Sequence, residues 1–135
     1  MRALLFALPL LLAGCSVFEG DEHPRACTDQ YVSYTVDVRL PDGAPADSVS
    51  ITAENERTGQ VYGPCNGIIA DGVGCGESGT YTVYTDAQES ATSRAGDDVT
   101  VRGTRGDLAF EAAFRFRTDG CHVDKLAGPD TVTLR

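Results

Sequence analysis

In YVSYTVDVRL, residues 31–40, the nine residues from Val32 to Leu40 alternate without an exception. Val32, Tyr34, Val36, Val38 and Leu40 share one parity; Ser33, Thr35, Asp37 and Arg39 share the other. Successive side chains of a strand point to opposite faces, so this stretch is a strand with one face in a core and one in water. Pro41-Asp42-Gly43 then supplies turn chemistry: a fixed φ, a side chain that bonds its own backbone, and a residue free to take positive φ. LAFEAAFRFRT, residues 108–118, has the same form. Leu108, Phe110, Ala112, Phe114 and Phe116 face inward, and Glu111, Arg115 and Arg117 outward.

Weaker copies of the pattern lie between and beyond these two. SVSITAE places Val49, Ile51 and Ala53 inward, Arg57-Thr58-Gly59 turns the chain, and QVYG makes a short return strand. TYTVYTD sets Tyr81 and Val83 on one face and Thr82 and Tyr84 on the other. AQESATSRAGDD, residues 87–98, is polar and reads as a surface loop or one turn of helix. DVTVRG turns Val99 and Val101 inward, and a short HVD segment and TVTLR close the chain. About seven strands with no long 3.6-residue period predict an all-β fold, a two-sheet antiparallel β-sandwich. The abundance of Val and Thr suits pleated surfaces. With no Trp, the chain lacks the Cys…Trp…Cys spacing of an immunoglobulin variable domain.

Before the first strand, Arg2 precedes an apolar run from Ala3 to Ala13, too short to span a bilayer as a helix. A basic start, a short apolar segment and small residues after it form a secretory signal. The run ends Leu12-Ala13-Gly14-Cys15 rather than Ala-x-Ala, and in this it resembles the lipobox of bacterial lipoproteins. The resemblance implies cleavage between Gly14 and Cys15, a diacylglyceryl thioether on Cys15 and acylation of the new amino group, palmitate being a typical chain. Several acyl chains anchor stably where one does not. By the sorting rule of enteric bacteria, Ser16 in place of Asp favours the outer membrane. The expected organisation is a signal peptide over 1–14, the acylated Cys15 with a polar tether over 15–26, and a β-sandwich domain over 27–135.

Removing residues 1–14 takes away one charged residue, Arg2, which leaves 10 basic against 20 acidic residues, net −10. No Lys/Arg cluster interrupts this, so nucleic acid is excluded as a partner. With Cys15 lipidated, Cys27, Cys65, Cys75 and Cys121 remain, an even number in an exported chain, and four cysteines allow three pairings. Cys65 and Cys75 are separated by nine intervening residues in the Gly-rich PCNGIIADGVGCG and readily close on each other, which leaves Cys27 with Cys121. On the chain-entropy model the short loop contributes roughly 2.5–3 kcal/mol and the long one nearly 5. The spacing contains no CxxC, so a zinc site is not expected.

The stretch VDVRLPDGAPADSVSITAEN, with its strand, Asp42-Gly43-x-Pro45 and Ser48-Val49-Ser50-Ile51, resembles the opening of carboxypeptidase regulatory-like domains, which share a transthyretin-like sandwich. Gly79-Thr80-Tyr81-Thr82-Val83 is similar to the Gly-x-Tyr-x-Val step of such domains. Asp119-Gly120-Cys121-His122-Val123 and Thr131-Val132-Thr133-Leu134 are similar to the closing segment of some bacterial lipoproteins of this kind. The resemblance covers residues 31–135. It implies a binding or scaffolding module outside the cytoplasm, with no catalytic residues to carry over.

The residues themselves name little chemistry. His122 follows Cys121, and neighbours on a strand point apart, so the two make no nucleophile–base pair. Asp97-Asp98, Asp119 with Asp124, and Asp21-Glu22 form no calcium-loop pattern. The loop over 63–79 is the best interaction candidate: a Cys65–Cys75 staple would present its groups with little entropy left to lose. Tyr62, Asn66, Ile68 and Ile69 are its expected contacts; the competing reading is a bridged excursion that covers one end of the sandwich. The expected function is a non-enzymatic, monomeric, lipid-anchored envelope protein without metal or cofactor. Its partners are the membrane, through its lipid, and an envelope protein or glycan. The alternative is an inhibitor of an exported hydrolase acting through the stapled loop.

Overall fold

The computed structural model describes residues 26–63 and 77–135. The signal segment, Cys15 and the tether up to residue 25 lie outside the described residues, as do Cys65, Cys75, Asn66, Ile68 and Ile69.

The fold is an all-β sandwich of two sheets. Its strands are β1 (Ser33–Arg39), β2 (Ser50–Asn55), β3 (Gln60–Tyr62), β4 (Thr80–Thr85), β5 (Asp97–Arg105), β6 (Leu108–Thr118), β7 (Val123–Ala127) and β8 (Thr131–Thr133). A five-stranded sheet runs β3-β2-β5-β6-β7 and a three-stranded sheet runs β4-β1-β8. Every pairing is antiparallel except β1 with β8, which is parallel. Hairpin-joined strands must run antiparallel; β8 arrives at β1 from the opposite sheet and is under no such constraint.

The alternation does what it promises on β1 and β6. Val36, Val38, Phe110, Phe114 and Phe116 are buried, with Tyr34, Leu40, Leu108 and Ala112 packed against them. Glu111, Arg115 and Arg117 are exposed. Ile51, Ala53, Val99 and Val101 complete the inner face of the larger sheet. From the smaller sheet, Tyr84 stacks on Phe116 with ring centroids 4.3 Å apart, and Tyr34 leans on the same ring at 5.5 Å.

Strand β4 departs from simple alternation. Tyr34 pairs with Tyr84, but the next residue, Thr35, pairs with Thr82, so Val83 is an extra residue opposite no partner. Such a bulge resets which face the chain presents. Tyr81 and Tyr84, which strict alternation separates, are therefore both buried. The Tyr81 hydroxyl donates to the Ala46 carbonyl at 2.9 Å and accepts from the Val49 N–H at 3.0 Å, which fixes the loop leading into β2. Thr82 Oγ1 is buried without a hydrogen-bond partner among the described residues.

The polar stretch after β4 is a 3₁₀ turn, Asp86–Ala91, with Thr85 as its N-cap. The Ala87 N–H donates to Thr85 Oγ1 and the Thr85 N–H to Gln88 Oε1, a capping box. At the far end of the domain, the segment after β7 crosses to the other sheet and serves both. Leu134 N–H donates to the Arg39 carbonyl, while Arg135 and Ala109 exchange a reciprocal pair of backbone bonds.

Two substitutions test this packing. Phe116→Ala is expected to cost about 3–5 kcal/mol in a urea or guanidinium melt, as a large ring is removed from a closed site. Gly103→Ala places a methyl carbon 2.1 Å from the Phe110 ring; it should cost about 1–3 kcal/mol by overpacking.

Candidate functional site

Two polar constellations and one cleft stand out. The first constellation is built where the segment 26–32 reaches the domain. Cys27 and Cys121 form a disulfide with Cα atoms 5.3 Å apart. Next to it, three side chains line up: Thr28 Oγ1 lies 2.9 Å from His122 Nε2, and His122 Nδ1 lies 2.7 Å from Asp86 Oδ2. A carboxylate only accepts, so Nδ1 donates to Asp86. Asp86 stands at the end of β4 and also accepts from the Val32 and Val123 backbone N–H groups, at 2.8 Å each. His122 is held in the turn between β6 and β7 by Asp119, whose Oδ1 accepts the backbone N–H groups of Cys121 and His122. The Asp86 hydrogen bond, against some desolvation, holds the imidazole pKa above its ordinary value.

Hydroxyl, imidazole and carboxylate follow one another here in the order of a nucleophilic relay. Thr28, however, sits on an exposed stretch ahead of the first strand. The arrangement ties the segment ahead of β1 to the β6–β7 turn through a partly buried aspartate. Sequence reasoning expected Cys121 and His122 to point apart, and they do different work here: one in the bridge, the other on Asp86.

The second constellation is a buried knot at the β2–β5 end of the sandwich. The Asp97 side chain is fully buried. Arg57 Nε donates to its Oδ1 at 2.7 Å and Arg57 Nη2 to its Oδ2 at 3.0 Å. Asn55 Nδ2 adds a bond of 2.8 Å and the Ser93 N–H one of 3.0 Å. Burial alone would push the Asp97 pKa up; the bonds from Arg57, Asn55 and Ser93 together pull it below the usual carboxylate range. Asn55 Oδ1 meanwhile accepts from the Arg57 and Thr58 N–H groups, which makes the turn between β2 and β3. Of the paired carboxylates Asp97-Asp98, Asp98 is exposed and Asp97 is a structural charge.

Tyr62 is the one described member of the expected loop contacts. It is half-buried, meets Tyr84 edge-on at 5.9 Å, and its hydroxyl donates to Gln60 Oε1. Burial beside Tyr84 raises its phenol pKa. Tyr62 thus packs the end of the core beside the Asp97 knot.

The cleft, about 500 Å³, lies where β6 and β8 diverge from the Ala109–Arg135 bridge. Its lining is mostly polar, with Glu111, Thr131, Thr133 and Arg135 beside Phe110 and Val132. Among the described residues no group of three or more His, Cys, Asp or Glu side chains is placed to hold a metal ion.

Compared with protein-family models, curated proteins and solved structures, the chain matches none.

The knot generates a stability test. Asp97→Ala should cost about 3–5 kcal/mol at neutral pH, since Asn55 and the Ser93 N–H lose a buried partner. A carboxylate whose pKa is lowered on folding adds stability above its unfolded pKa, near 4, and loses it as pH falls through the folded value. Urea melts across an acid series should therefore show the wild type and Asp97→Asn converging as the pH drops below about 4.

Proposed function

We propose that this chain is a lipid-anchored, non-enzymatic protein of a bacterial envelope, whose β-sandwich acts as a binding or structural module outside the cytoplasm. The observation that carries the reading is Leu12-Ala13-Gly14-Cys15 at the end of an 11-residue apolar run behind a single Arg. Lipidation at a cysteine in that position fixes a protein to a membrane without a span. Among the described residues, no helix is long and apolar enough to cross one.

Two further observations support export. The Cys27–Cys121 bridge is the kind of bond that persists in oxidising compartments. The acidic surplus of the mature chain suits a protein kept clear of anionic headgroups apart from its anchor. The regulatory-like, transthyretin-like resemblance of residues 31–135 points to recognition of an envelope protein or glycan rather than to turnover. Ser16 directs the protein to the outer membrane under the enteric sorting rule. In this reading the protein works as a monomer and needs no cofactor.

Expression in a bacterial host with labelled palmitate tests the anchor. The wild-type chain should incorporate label, lose residues 1–14 and sediment with membranes. Cys15→Ser should incorporate none and keep its leader or appear in the soluble fraction. Normal processing and unchanged sedimentation of Cys15→Ser would overturn the assignment.

A further inference from the structure

The segment 26–31 is exposed at every residue. Burial does not hold it; discrete ties do. Cys27 is bridged to Cys121. Thr28 Oγ1 meets His122 Nε2 at 2.9 Å. The Tyr31 hydroxyl donates to Thr85 Oγ1 at 2.8 Å. Val32 marks the end of the segment, its N–H on Asp86 Oδ2 and its carbonyl accepting from the Asp86 N–H at 3.0 Å.

These ties differ in what breaks them. The disulfide has one exposed half, Cys27, and so is open to attack by a thiolate. The imidazole is the tie that titrates near neutrality. We propose that this corner is a two-part clasp on the segment 26–31: the Cys27–Cys121 bridge is its redox-sensitive half and the Thr28–His122–Asp86 chain its pH-sensitive half. Residues 26–30 leave the sandwich only when the bridge is reduced and His122 is neutral, Tyr31 staying tied to Thr85. In the redox half, a dithiol attacks the bridge and departs as its own cyclic disulfide. Two electrons and two protons end on Cys27 and Cys121 as thiols.

The surroundings of His122 set the direction of the pH half. Asp86 faces it from the end of β4, Asp119 from its own turn and Asp124 from β7; Asp124 is itself paired with Arg117 of β6 at 3.2 Å. From the segment comes the neutral Thr28 hydroxyl. Three carboxylates favour the imidazolium, and Asp86 dominates by its hydrogen bond. A group whose pKa is raised on docking contributes fully below its free value, about 6.5, and loses that contribution as pH rises through the docked value. Charged, His122 donates to both Asp86 and Thr28. Neutral, it keeps Nδ1–H on Asp86, and the Thr28 hydroxyl must turn to donate into Nε2, an ordinary exposed bond of small net worth.

Methyl relaxation of threonine-labelled full chain at about pH 5.5 and about pH 8.5, either side of the imidazole range, reads the clasp directly. Thr28 reports the segment and the buried Thr92 is the internal reference. With the bridge intact, the Thr28 methyl should be ordered at both pH values. In Cys27→Ser/Cys121→Ser, which leaves Cys65 and Cys75 untouched, it should stay ordered at the lower pH and become mobile at the higher. Adding His122→Gln should make it mobile at both. Dithiothreitol on the native chain should reproduce the double variant. Thr28 equally ordered or equally mobile at both pH values in the double variant overturns the proposal, as does a pH step that survives His122→Gln. Loosening of Thr92 along with Thr28 overturns it too, since the bridge would then hold the domain and not the segment. A native bridge that resists dithiothreitol overturns the redox half.

Discussion

The contact on which this domain depends is the stack of Tyr84 on Phe116 across the interior. One ring comes from each sheet, and Tyr34 and Phe114 extend the contact to either side of Phe116. A two-sheet fold of this size has a thin core, and large rings fill it with few residues. The bulge at Val83 follows from this need. Without the extra residue, Tyr81 and Tyr84 would lie on opposite faces of β4. With it, Tyr81 braces the loop before β2 while Tyr84 reaches Phe116 and, through its hydroxyl, Thr92. Glycine positions obey the same packing. Gly128, at φ +131°, lets the chain cross between sheets where a side chain would strike the Phe114 ring at 2.3 Å.

What the sequence discloses depends on how local the cause is. The faces of β1 and β6 were legible because a period of two, unbroken over five inward positions, has one cheap interpretation. The Cys27–Cys121 pairing was what remained once Cys65 and Cys75 were matched as near neighbours in a Gly-rich stretch. The turn at Asp86–Ala91 left a readable sign as well: Thr85-x-x-Gln88 has the spacing of a capping box, although the stretch around it reads equally as loop. The bulge, by contrast, exists only in the register between β4 and β1, and no residue within TYTVYT announces it. Likewise, nothing in the alternation of TVTLR says that β8 will lie parallel to β1.

The polar sites illustrate the same limit. Asp97 read only as one of a pair of carboxylates because its partners, Asn55 and Arg57, are about 40 residues away in the chain. A sign was available: Asn55 continues the inward parity of Ile51 and Ala53, so an amide faced the core and required a partner. Asp86 was invisible as a hub for a similar reason. It gathers Val32 and the neighbouring His122 and Val123 from two separate stretches, and only the assembled fold brings them within reach of one carboxylate. In both places an acid, fully buried at Asp97 and partly buried at Asp86, gathers groups from distant segments, and in both the charge is compensated by a cationic or ionisable base.

The β1–β8 pairing joins Asp37 to Thr131 and Arg39 to Thr133, and the residues just beyond it clip onto β6. These are among the most distant contacts the domain makes along its length. Such long-range closure is slow, because loop entropy is lost before the contact repays it. A nascent chain threaded outward from its amino terminus would therefore wait with one sheet lacking its edge. Until residues 131–135 emerged, the inner faces of Val38 and Phe110 would stand open to chaperones and to other chains alike.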